Sequence, residues 1–289
     1  MRPVFLLVAL LLAAGELVAS ASGSQRAAPV RLAYAGETPV PWGIYRLERG
    51  AKVRLSKSRQ DSFPAWSADA KSIAFDQAIK PGNPDTNCRI AVVSETGGAI
   101  HAIPGVIAAC RSFSWFRTGW IAFNDPKNAV WIVKPDGSGL RKLVAASDGS
   151  TLNPACSPDG KLIAFGNGVF GGISVVGASG SGLHTITTPA AASGDGFPAW
   201  SPNGKEIAFV RGNPDFTWSV IVVRSDGTGL KRLVKTSTQP DFVRPAWTAD
   251  GSSIVFGDVN GISIIPAAGG TSRTLVAGHF LAQPAVAAK

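Results

Sequence analysis

Histidine, cysteine and charge are all scarce in this chain of 289 residues. It holds three His, three Cys and one Met, and only 16% of its residues are charged. Cys-x-x-Cys, His-x-x-x-His and Walker patterns are missing, which removes the common zinc, redox and nucleotide signatures. No Gly-x-Ser-x-Gly elbow is present, and a triad would need a nucleophile, a base and a carboxylate that the sequence does not group. Long amphipathic helical patterns are also absent. Gly (33) and Pro (20) are instead plentiful, a profile that suits many short strands joined by turns.

The N-terminus stands apart. Arg2 precedes an apolar run over residues 4–14, and Ala19-Ser20-Ala21 offers small residues for cleavage. The run is shorter than the ~20 residues that span a bilayer, so residues 1–21 are expected to form a secretory signal peptide. Residues 22–30 follow as a short linker. No Cys lies near the cut, so no lipid anchor is expected, and the chain is predicted to be exported, periplasmic or secreted. Cys88 and Cys110 both adjoin loops and can pair in an oxidising compartment. The alternative is two inert thiols. Cys156 is read as a buried free thiol.

The strongest signal is a repeat. Residues 63–75, 153–165, 197–209 and 244–256 align without gaps on Pro-Ala-Trp-Ser-Pro-Asp-Gly-Lys-x-Ile-Ala-Phe. Residues 114–123 form a fifth copy, shorter in its turn, and 283–287 give the first half of a sixth. Each unit reads as four strands: A (Pro-Ala-Trp-Ser), a tight turn, B (Ile-Ala-Phe), a β-branched strand C, a second tight turn and strand D. Pro, Asp and Gly suit those turns because they preset or tolerate the dihedrals required. Starts at 153, 197 and 244 match the roughly 40–45 residues of a propeller blade. Residues 31–35, 43–47 and 51–55 resemble B, C and D of a blade whose strand A is supplied by 283–287. The predicted fold is therefore an all-β, six-bladed β-propeller of four-stranded antiparallel blades over residues 31–289. N- and C-terminal strands pair to close the ring and remove exposed sheet edges.

The signature resembles the propeller repeats of the TolB-like family. The resemblance covers residues 31–289, the propeller only, without the N-terminal α/β domain found in TolB. It implies a fold and a binding role, and it carries over no Tol–Pal membership.

The repeat residues themselves read as scaffold. Trp66, Trp115, Trp200 and Trp247 share one strand-A position with Cys156 and Val286, and apolar wedges between blades are expected there. Asp69, Asp159, Asp250 and Asn203 sit in separate turns and read as caps, so no metal ligand, catalytic residue or cofactor is assigned. His101 and His184 occupy outward strand-D positions. Net charge is +9, and Arg54, Arg141, Lys142, Lys231, Arg232 and Arg273 place much of it on strand D. Cations there discourage edge-to-edge pairing. Exposed aromatics do not alternate with them, so nucleic acid is not an expected partner.

Function is sought in the longer B-to-C and D-to-A connections, which emerge on one face, because variable loops on a rigid scaffold usually carry it. That face is expected to present Asp76, Lys80, Asp85, Arg111, Asp148, Asp195, Arg211, Asp215, Asp241, Arg244 and His279. Mixed charge suggests protein or peptide recognition by a monomeric, non-catalytic envelope module. The alternatives are a loop-built hydrolase or lactonase-type enzyme, or an envelope glycan binder.

Overall fold

The computed structural model describes residues 31–36, 43–48, 51–58, 61–79, 87–110, 112–116, 118–145, 151–168, 170–237, 243–258, 261–277 and the backbone of 282–286. The expected signal peptide and linker lie outside these residues. Among the described residues, twenty-four strands form six four-stranded antiparallel sheets. The first blade joins β1 (Leu32–Gly36), β2 (Gly43–Glu48) and β3 (Ala51–Arg54) to the last strand, β24 (Ala282–Val286). Leu32 faces Val286 and Ala33 faces Ala285 in that closing ladder. The second blade is β4 (Ser62–Trp66), β5 (Ser72–Ala78), β6 (Cys88–Ser94) and β7 (His101–Ala102). The third is β8 (Phe113–Trp115), β9 (Ile121–Asn124), β10 (Val130–Val133) and β11 (Arg141–Val144). The fourth is β12 (Thr151–Cys156), β13 (Leu162–Asn167), β14 (Ile173–Gly177) and β15 (His184–Thr185). The fifth is β16 (Gly194–Trp200), β17 (Glu206–Gly212), β18 (Trp218–Arg224) and β19 (Lys231–Thr236). The sixth is β20 (Ala246–Trp247), β21 (Ser253–Asp258), β22 (Gly261–Pro266) and β23 (Arg273–Ala277).

The chain is thus an all-β, six-bladed propeller whose blades follow sequence order. Successive inner strands pack around the ring, β4 on β8, β12, β16, β20, β24 and back to β4. Apolar side chains gather into six clusters, one in each gap between neighbouring blades. The Phe of each Ile-Ala-Phe strand is buried in such a gap, with Phe75, Phe209 and Phe256 fully inaccessible. Two-sided burial explains why these strands read as continuous apolar runs and not as strict alternations.

The tight turns repeat one hydrogen-bond circuit. Ser67 donates to Asp69 at 2.7 Å, and Asp69 accepts from the Lys71 N–H at 3.1 Å. The same Ser67 hydroxyl accepts from the Ser72 N–H at 2.9 Å. Ser157 with Asp159, Ser201 with Asn203 and Thr248 with Asp250 reproduce it at 2.6–2.8 Å. These hydrogen bonds, led by the seryl donor, hold the Asp69 and Asp159 carboxyls below their usual range. Each acid is committed to its own turn.

Charge also bridges blades. Arg31 and Arg46 of the first blade pair with Glu95 of the second, Arg46 at 2.7 Å. Strand-D cations have a use beyond guarding edges. Arg141 donates to the Ala178 carbonyl of the next blade at 2.8 Å, and Lys231 donates to the Ala268 carbonyl of its own next blade.

Candidate functional site

The inner strands enclose an axial cavity of about 290 Å³. Its wall comes from the Pro-Ala-Trp segments of β4 and β16, the Pro-Ala-Cys segment of β12, from β8, and from β20 with the residues leading into it. Each Trp enters the gap toward the preceding blade. There Trp200 donates its indole N–H to the Ala155 carbonyl at 3.1 Å, and Trp247 donates to Ala199 at 2.9 Å. A buried indole N–H needs such a partner, so the repeated Trp is both wedge and stitch. At the fourth blade Cys156 replaces the Trp and the stitch changes chemistry. Ser114 stands where other blades have Ala, and its hydroxyl lies 3.2 Å from both the Cys156 sulfur and the Cys156 N–H. Burial pushes the Cys156 thiol pKa well up, which disfavours the reactive thiolate.

One end of the cavity is built from strained backbone. Phe63, Asn153 and Phe197 precede the prolines of their inner strands and adopt positive φ of 53–54°. The ladder shifts register at each of these points. A bulky residue in this region is costly and persists where the surroundings over-determine it, as functional sites do. Here the bulges bring Phe63 and Phe197, from opposite blades, to Arg244 of the sixth blade. The Arg244 guanidinium carbon lies 4.2 Å from the Phe63 ring centroid and 4.8 Å from that of Phe197. Arg244 is the only charged residue among the described residues of the lining. From this stack the cavity runs to Ala68, Pro158, Pro202 and Ala249, which are partly exposed residues of the tight A-to-B turns.

This geometry redistributes the residues expected on the long-loop face. Arg244 lines the cavity. Asp76 is fully buried and Asp195 nearly so, so neither presents its side chain at the surface. Asp195 is clamped by Arg211 at 2.6 and 2.7 Å and accepts from Thr187 at 2.6 Å, which makes the trio a brace. Asp215 is exposed and bonded to Lys235 at 2.6 Å, a contact that lowers its pKa to about 2. Lys80, Asp85, Arg111, Asp148, Asp241 and His279 lie outside the described residues. Cys88 and Cys110 are joined in a disulfide with Cα atoms 5.0 Å apart, linking the start of β6 to the loop before β8. His101 and His184 are exposed on the outer strands.

Sequence reasoning passed over Phe63, Phe197 and Asp61. The signal for the first two was present, because the position before the recurring Pro varies among Phe, Asn, Arg and Gln while its neighbours repeat. Asp61 aligns with Asp195, two residues upstream of that variable position. It accepts hydrogen bonds from Ser56, Ser58 and Gln77, yet burial dominates and pushes its pKa up.

Among the described residues, no group of three or more His, Cys, Asp or Glu gathers to hold a metal ion. No described helix is long and apolar enough to cross a membrane.

The TolB homolog of Chlorobium luteolum is 33% identical over 131 residues, which are 42% of this chain. TolB from Acinetobacter baumannii superposes with a TM-score of 0.76 at 18% identity, over 90% of this chain and 67% of that one. In repeat and in fold, the chain is TolB-like. The match spans only about a quarter (27%) of the length of the curated relative. A looser likeness reaches an oligogalacturonate lyase in complex with manganese, with a TM-score of 0.55 at 14% identity, covering 86% of this chain and 74% of the lyase. At such identity the likeness concerns the fold alone. No protein-family model matches the sequence.

Proposed function

We propose that this TolB-like propeller is a non-catalytic module that binds a protein or peptide in the cell envelope or extracellular space. The N-terminal apolar segment and the Cys88–Cys110 bridge support export. The observation that carries the binding role is the axial cavity, a preformed concavity walled by Trp, Pro and Ala with, among the described residues, one charged group at its end. Sites of this kind, apolar with a few placed polar groups, are where ligands bind. The partner therefore meets the propeller at the tight-turn mouth, where Ala68 and Ala249 stand.

A photo-crosslinking side chain at Ala68 or Ala249, compared with one at Asp215 on the opposite face, tests this. Discrete protein adducts in envelope extract from the mouth positions, abolished by the double substitution Ala68→Trp with Ala249→Trp, are expected. Adducts only from Asp215 would move the site to the long-loop face. Turnover of a sugar or ester substrate by the purified protein would overturn the non-catalytic role.

A further inference from the structure

We propose that the outer rim of the tight-turn face docks on an anionic phospholipid bilayer, through a row of aliphatic side chains set one per blade and the cations around them. The proposal is independent of what the axial cavity holds.

The row follows from the register. In the second to fifth blades the Ala of Ile-Ala-Phe, and in the sixth Val255, faces one residue of strand C. That residue in turn faces His101, Arg141, His184, Lys231 or Arg273 on strand D. Immediately before these five, at the end of the C-to-D turn, stand Ile100, Leu140, Leu183, Leu230 and Ser272. The four aliphatics are 38–56% exposed, so most of their apolar surface is not used in the gaps between blades. Ser272 shows that the turn closes without one. The Gly269 N–H bonds the Pro266 carbonyl at 2.8 Å, just as Gly137 bonds Lys134 at 2.9 Å and Gly227 bonds Arg224 at 2.8 Å. Apolar residues scattered singly over a surface need no explanation. One side-chain type at one register over four successive blades is not scatter.

The neighbours select the occupant. Residues 134–142, 157–161, 177–185, 201–206 and 224–232, the tight turns beside Leu140, Leu183 and Leu230, carry eight Lys or Arg against four Asp or Glu. Arg141 and Lys231 donate to the Ala178 and Ala268 carbonyls, and a neutral carbonyl leaves their charge uncompensated. A second copy of the chain, rim to rim, would set like charges against each other. Protein interfaces depend on clustered Trp, Tyr and Arg anchors in which Leu is under-represented, whereas here each aliphatic stands on its own blade. A membrane-interfacial surface instead sinks Leu or Phe into the headgroup boundary and keeps Lys and Arg beside them. Each cation near an anionic surface adds to the attraction. Phe170 and Phe216 are more exposed, at 71% and 90%, but they stand in B-to-C connections on the opposite face, which makes them the control.

The test is cosedimentation of the full mature protein with vesicles of equal parts phosphatidylcholine and phosphatidylglycerol, against vesicles of phosphatidylcholine alone. The anionic vesicles should be bound tighter by about tenfold or more. Leu140→Ser with Leu183→Ser and Leu230→Ser should weaken that binding about tenfold. Lys161→Gln with Lys205→Gln, both exposed turn residues, should weaken it about 25-fold, at about fivefold for each cation. An environment-sensitive dye on Leu183→Cys should shift to shorter wavelength on the anionic vesicles, and the same dye on Phe216→Cys should not. Equal binding to both vesicles, or to neither, would overturn the proposal on wild type alone, whatever the variants do. A shift at Phe216 without one at Leu183 would overturn it in favour of the opposite face. A lipid-free dimer that the triple Leu variant dissolves would overturn it in favour of a second copy. Protein adducts from a crosslinker at Leu183, with no vesicle binding, would give the rim to a protein.

Discussion

Arg211 grips Asp195 through two parallel hydrogen bonds of 2.6 and 2.7 Å, across the β16–β17 ladder in which the two residues are direct partners. The Asp195 side chain is fully inaccessible and Arg211 only 16% exposed. Thr187 completes the set by accepting from the Ile173 N–H at 2.7 Å while donating to Asp195. Strand D of the fourth blade is thereby tied to strand A of the fifth.

Breaking that pair from one side leaves a buried charge without its counterion, which costs more than losing both partners. Arg211→Met should lower unfolding free energy by about 3 kcal/mol, and adding Asp195→Leu should recover part of the loss. Urea denaturation of the two single variants and the double variant measures this. Additive losses would show that the pair acts as two independent contacts.

Asp61 holds the equivalent place in the second blade, but Gln77 stands where the fifth blade has Arg211. With Gln77 and not a cation at that place, burial raises the Asp61 pKa. A carboxyl whose folded pKa is raised contributes stability below the unfolded pKa, and loses it as pH rises through the folded value. Asp61→Asn should therefore raise the melting temperature at pH 7–8, and the gain should vanish below about pH 4, near the unfolded carboxylate pKa. A gain that persists unchanged at pH 3 would show that burial of charge is not its cause.

The stitches between blades make a third prediction. Trp200→Phe keeps the apolar wedge but leaves the Ala155 carbonyl without its donor, and should cost about 2 kcal/mol. At the Cys156 gap the donor is Ser114, so Ser114→Ala should cost about 1 kcal/mol and Cys156→Ser less. Chemical denaturation of the three variants gives the order. If Trp200→Phe is neutral, the indole contributes by packing alone.

The repeat made the propeller legible because each blade solves the same problem with the same residues: a Trp wedge, a Ser–Asp turn and a Phe in the gap. What it hid were the exceptions. Ser114 reads as a small residue until its neighbour Cys156 is known to lack an indole. Asp195 and Arg211, 16 positions apart, look like two surface charges unless the A–B register is used to set them face to face. Phe63, Phe197 and Arg244 share one column of the repeat, yet their meeting depends on the ring bringing opposite blades to a common axis. Local pattern carries strand and turn; which variable residues converge is a property of closure.

The disulfide predicts a fourth outcome. Cys88 and Cys110 enclose a sequence separation of 22 residues, and a loop of that size restricts the unfolded chain by about 3 kcal/mol. Cys88→Ser with Cys110→Ser should lose that amount, and reducing the wild type should lose a similar amount. A double variant as stable as wild type under non-reducing conditions would mean that the bridge constrains little beyond the β6 contacts already made.

Closure itself is the last and most demanding prediction. β24 supplies the inner strand of the first blade, and β1 without it would expose a ladder edge above Leu32 and Tyr34, which are now buried. The clusters against the second and sixth blades would open as well, since β24 also packs on β4 and β20. Truncation after Leu281 should therefore weaken the whole ring, not fray one end, because a propeller blade lacks stability apart from its neighbours. The expected loss is at least about 3 kcal/mol, a fall of roughly 10 °C in melting temperature for a domain of this size. A truncation after Val286, which keeps β24, should melt as wild type. Adding residues 282–289 back as a separate peptide should restore part of the lost stability by pairing with β1. If the shorter chain instead melted with the intact protein, the ladder between Leu32 and Val286 would not be what closes the ring.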